Sequence, residues 1–88
     1  MKINNPVLKM HVFMSEKLLE NNHKNGWNGY PSKTWFRRIT QELKELRKAI
    51  DSKEPPEKIW REAADVANFA MMIADCYEGE KEDEREEL

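Results

Sequence analysis

Wherever this chain is apolar, its apolar residues recur every three or four positions, and no stretch alternates in the two-residue period of a strand. That periodicity restricts the fold to helices. A first run extends from about Pro6 to Asn22 through Val7, Leu8, His11, Met14, Leu18 and Leu19, with Pro6 suited to a first turn. The segment His23 to Pro31 breaks the pattern with two glycines, a proline and asparagines, and reads as a loop. Ser32 or Thr34 can cap a second helix to about Asp51, carried by Trp35, Ile39, Leu43, Leu46 and Ile50. After a Ser52–Pro56 connector, a third helix runs from about Glu57 to Tyr77 through Ile59, Val66, Phe69, Ala70 and Ile73, with Gly79 as its stop. The expectation is an all-α domain over residues 1–79, followed by a charged tail, 80–88, that is either frayed helix or disordered.

Size and charge bound what such a domain does. Three helices in 88 residues leave an apolar face uncovered, so self-association is expected. Fifteen basic residues against seventeen acidic ones give a net charge of −2, which argues against a nucleic-acid binder. No apolar run approaches the ~18 residues of a membrane span and no signal-peptide pattern opens the chain. The single cysteine, Cys76, has no internal disulfide partner, and a reducing cytoplasm fits it. None of the three glycines belongs to a phosphate-binding loop, so any phosphate chemistry must proceed without one.

Acid-x-x-acid pairs are common by chance in so acidic a chain, as Asp51/Glu54, Glu54/Glu57, Glu80/Asp83 and Asp83/Glu86 illustrate. Helical phase separates two pairs from these. At ~100° per residue, Glu42 falls inside the stripe of Trp35, Ile39, Leu46 and Ala49, and Glu45 lies about 60° to its side. Glu62 likewise falls inside the stripe of Ile59, Val66, Phe69 and Ile73, with Asp65 about 60° to the same side. A sheltered carboxylate is unfavourable unless paired or neutralised, and two helices repeating the arrangement imply a shared partner. Four hard oxygen donors without a cysteine cluster or an ExxH spacing suit Mg²⁺, or Mn²⁺, better than Zn²⁺ or iron. Magnesium usually completes its shell with water and substrate phosphates, which points to phosphoanhydride chemistry. The competing reading pairs these acids with Arg38, Lys48, Lys58 or Arg61 on a neighbouring helix or subunit.

Glu42-x-x-Glu45, sixteen intervening residues, then Glu62-x-x-Asp65 resembles the ExxE…ExxD signature of the all-α, MazG-like NTP pyrophosphohydrolases. The flanking strings KLLENNHKNGW, ITQELKELRKAI and EAADVANFAMMIAD are most similar to the short, phage-type members, over roughly residues 14–77. The resemblance implies a helical bundle assembled as a homodimer or dimer of dimers. It also implies Mg²⁺-dependent hydrolysis of a nucleoside triphosphate to monophosphate and pyrophosphate. By position, Glu42, Glu45, Glu62 and Asp65 would be the metal ligands and catalytic groups, with the general base left open and Glu45 its first candidate. The chain departs from longer members by its shortness and by Phe69, where some relatives carry tyrosine. The alternative is a catalytically silent helical module that binds a partner protein or a nucleotide.

Other residues carry two readings each. Trp27 lies near a position where some relatives stack an aromatic on the base, or it plugs the core. Lys24 meets a phosphate or stays solvated. Asn68, one turn after Asp65, touches sugar or base, or makes an interhelical hydrogen bond. His11 is expected as a hydrogen-bonded core histidine, Trp35 and Trp60 as packing residues, and Cys76 as a quiet buried thiol. Phe13 and Met71 lie away from the main stripes, which suggests a second apolar contact between subunits.

Overall fold

The computed structural model describes residues 4–21, 26, 27 and 29–86. It is all-α: α1 spans Pro6–Asn21, a 3₁₀ turn Ser32–Trp35 leads into α2, Phe36–Asp51, and α3 spans Pro56–Glu86. No strand occurs among the described residues. None of the helices is long and apolar enough to cross a membrane.

The helix boundaries follow from local chemistry. Asn5 starts α1, its Oδ1 accepting the Val7 amide at 2.9 Å, and Pro6 fills the first position, where no amide is needed. Neither Ser32 nor Thr34 caps α2: the chain enters through the 3₁₀ turn, with no side-chain cap bond at either start. The α2–α3 turn closes as a Schellman motif. Glu54 N–H donates to Ala49 C=O at 3.1 Å and Lys53 N–H to Ile50 C=O at 3.0 Å, with Lys53 in the left-handed region at φ 56°. Pro56 then opens α3.

Gly79 does not stop α3, which continues seven residues further to Glu86. A mid-helix glycine costs roughly 1 kcal/mol relative to alanine. Packing supplies the compensation: the Glu80 carboxylate accepts the Ser32 amide and, at 3.3 Å, the Ser32 hydroxyl. The first residue expected in the tail is therefore fastened to the body.

α3 is the spine. α1 and α2 both pack on it, whereas α1 and α2 make no close backbone approach to each other. The core is small: Ala49, Ala64, Phe69, Met72 and Cys76 are its buried apolar members among the described residues. Tyr30 meets Trp35 edge to face and Trp35 meets Phe69 at a tilt, with centroids 5.5 and 6.1 Å apart. On the other side, Phe13 stacks on Trp60 at 6.1 Å and Lys9 lies over the Trp60 ring. Phe13 therefore makes an intramolecular contact, while Met71 is half-buried.

The phase expected for α1 is adopted only in part. Val7, Leu8, His11 and Leu19 are exposed, whereas Met14 and Leu18 of the expected stripe turn inward and are joined there by Met10, Phe13 and Lys17. His11 is thus not a core histidine. The Trp60 ring and the Met14–Asn68 contact decide which face of this multiply apolar helix docks.

Candidate metal centre

Three of the four singled-out acids converge. Glu42 of α2 and Glu62 and Asp65 of α3 each offer a carboxylate oxygen, and these oxygens lie within 4.8 Å of one another. All three residues are half-buried, with only 17% of the Glu62 side chain and 14% of the Asp65 side chain exposed. The helical phase explains the convergence. Glu62 and Asp65 are one turn apart on α3, and Glu42 sits on α2 two turns before Ala49, where the helices close together. Glu45 is exposed and outside the triad. It lines a neighbouring cleft of about 180 Å³ with Lys48, Lys58 and Glu62.

Burial dominates the electrostatics of two of the three acids. Burial, then the charge of Asp65, pushes Glu42 above the ordinary carboxylate range, and Arg38 offsets this only in part. Arg38 also lies over the Phe69 ring at 5.5 Å. Burial raises Asp65 too, outweighing the Lys17 ammonium 3.3 Å away. Lys58 reaches Glu62 at 3.4 Å as an i,i+4 pair. Beyond Lys17, Glu20 accepts from Arg61, which holds its carboxyl below the usual range and also faces Glu16.

The donor set fits Mg²⁺ or Mn²⁺. Three carboxylate oxygens from two helices would supply hard ligands of the kind these cations prefer. The open side toward Glu45 leaves room for water and for the phosphates that Mg²⁺ usually shares.

The other candidates lie elsewhere. The Trp27 indole donates to Asp75 at 2.8 Å and its carbonyl accepts the Cys76 thiol at 3.2 Å. Asp75 is ten residues past Asp65, so this anchor sits about 15 Å along α3 from the triad. Asn68 is buried and donates to the Met14 carbonyl at 3.1 Å, which is the interhelical bond; its Oδ1 has no partner among the described residues. Lys24 lies outside the described residues. Cys76 is buried, as expected of a quiet thiol. A larger hollow of about 700 Å³ opens beside Tyr30 and Gly79; of its four acids, Asp75 and Glu80 are engaged by Trp27 and Ser32, and Glu78 and Glu82 complete the lining.

Sequence reasoning missed Lys17, Asp75 and Glu80. Lys17 lies outside the apolar stripe expected for α1, and Asp75 and Glu80 look like solvated acids; only tertiary packing distinguishes them. No family model, curated protein or solved structure matches this chain.

Proposed function

We propose that the chain is a MazG-like, Mg²⁺-dependent pyrophosphohydrolase that converts a nucleoside triphosphate to its monophosphate and pyrophosphate. The observation that carries this reading is the approach of the Glu42, Glu62 and Asp65 oxygens to within 4.8 Å, from two helices, in a half-buried setting. The ExxE…ExxD resemblance supplies the reaction class.

Glu42, Glu62 and Asp65 would hold the cation. Bound there, Mg²⁺ or Mn²⁺ supplies Lewis-acid activation of a water and neutralises phosphate charge. The water oxygen bonds to the α-phosphorus as the α–β bridging bond breaks and pyrophosphate leaves. Glu45, at the rim of the cleft it shares with Glu62, accepts the water's proton. Lys48 and Lys58, lining the same cleft, meet the phosphates as point charges.

A homodimer belongs to the same proposal. Phe36, Ile39, Leu43, Leu46 and Ile50 repeat at three- and four-residue steps along α2, and Phe36, Leu43 and Ile50 are each half or more exposed. Such a seam suits a partner helix.

One observation favours the alternative, a silent binding module: Lys17 and Lys58 already pair with two of the three acids. Pyrophosphate release, measured across canonical and modified nucleotides with Mg²⁺, Mn²⁺ or chelator, separates the readings. The enzyme should act only with metal, and Glu62→Gln should lower the rate at least about 100-fold. Metal-independent behaviour, with Glu62→Gln changing only stability, would establish the silent module.

A further inference from the structure

Lys17 is the one α1 side chain that reaches the triad through an ion pair among the described residues, and its position is unusual for a lysine. Only 17% of its side chain is exposed, and its ammonium lies between two carboxylates. Asp65 Oδ2, inside the triad, is at 3.3 Å; Glu20 Oε2, one turn further along α1 and outside the triad, is at 3.6 Å. Arg61 in turn holds Glu20 in place. Lys58 differs: 53% exposed and paired within its own helix, it behaves as a surface ion pair of small net effect.

Sheltering an ammonium is unfavourable unless it is well paired, and three converging carboxylates repel one another without a cation. Each need answers the other. We propose that Lys17 is the built-in counter-ion of the triad, holding Asp65 in the metal-free protein and ceding it to a divalent cation by moving onto Glu20. The inference rests on the metal-site reading above. Lys17 is then a positioning residue that touches neither substrate nor reacting atoms. It keeps the empty triad from springing apart and sets how much cation is needed to fill it, because the incoming ion must displace a like charge.

Mn²⁺ titration of the full chain, followed through the signal of free Mn²⁺, tests this together with metal-free thermal melts. Lys17→Met should bind Mn²⁺ about tenfold more tightly, the scale set by one nearby charge at the dielectric of a protein surface. It should melt below wild type without metal and recover at saturating Mn²⁺. Lys17→Arg, which keeps the charge, should stay near wild type. Glu20→Gln removes the refuge and should weaken Mn²⁺ binding about threefold, an effect that should vanish in the Lys17→Met background, as a double-mutant cycle would register.

Unchanged or weaker Mn²⁺ affinity in Lys17→Met overturns the proposal, as does a Glu20→Gln effect that persists without the lysine. Lys17→Gln serves the same comparison where the methionine variant does not fold. Mn²⁺ binding that Glu62→Gln removes but Lys17→Met leaves unchanged sinks only the role of the lysine. No Mn²⁺ binding in wild type and variants alike sinks the metal site, and this inference with it.

Discussion

Glu42 is a carboxyl that folding pushes toward its protonated form, and Asp65 shares the tendency in spite of its lysine. The sign of the consequence follows from linkage. A carboxyl whose folded pKa is raised favours the folded state fully below its unfolded pKa, and that favour is lost as pH rises through the folded value. The metal-free protein should therefore lose stability from this source between the carboxylate range and neutrality. Glu42→Gln should melt above wild type at about pH 7, and the gap should shrink at about pH 4. Melts followed by circular dichroism check this, and a variant melting below wild type at neutral pH would contradict it. If the triad holds a cation as proposed, added Mg²⁺ should reverse the order, since only the wild type keeps all three carboxylates. Three of these residues were legible from helical phase alone, because Glu42 and Glu62 stand where leucines would and Asp65 follows one turn later. Glu45, with the same spacing and the same ~60° offset as Asp65, ends exposed instead. The difference is what flanks them: α1 covers Asp65, whereas Glu45 faces an open cleft. Spacing within one helix carries no record of its neighbour.

At the scale of elements, periodicity located three helices to within a residue or two at most ends, and it erred where apolar residues encircle a helix or where a single residue was given too much weight. α1 offers two stripes, one through Leu8, His11 and Leu19 and one through Met10, Phe13 and Met14. A helix apolar on several sides announces that it is a helix, not which side docks. Trp60 and Asn68, distant in sequence, made the choice. Gly79 failed as a stop because its neighbour Glu80 has a partner on the preceding 3₁₀ turn. The glycine has no positive φ, and a methyl group there would meet nothing within 4 Å. Gly79→Ala should therefore stabilise the protein by about 0.5–1 kcal/mol, through helix propensity and a less mobile unfolded chain. Chemical denaturation would register the gain, and a loss would mean that the glycine serves something other than the helix.

For the molecule as a whole, the half-exposed Phe36, Leu43 and Ile50 define what a second copy would cover. Burying the exposed half of each of these side chains is worth about 1 kcal/mol, so a seam of this kind favours association. Leu43→Glu should shift the protein toward monomer, weakening association at least about tenfold, with helicity retained. Light scattering across a concentration series checks this, and an unchanged mass would locate the interface elsewhere, the exposed stripe of α1 being next in line. A leftover apolar face was legible from chain length and composition, but its location was not, because Ile39 and Leu46 of the same run lie at the edge of the core.

The continuity of α3 has one more consequence. The acids that gather beside α2 and the residues that clasp Trp27 and Ser32 ride on one uninterrupted rod, so their relative bearing is counted in residues. A single alanine inserted after Ala70 would swing Asp75, Cys76 and Glu80 by about 100° around the axis, unlatching the segment before α2 while Glu62 and Asp65 kept their heading. Seven inserted residues would bring the latch almost back into line, about 10 Å further away. The distance from the acid triad to the clasp is thus written as a number of turns, and only an insertion or deletion close to a whole number of them leaves the bearing unchanged.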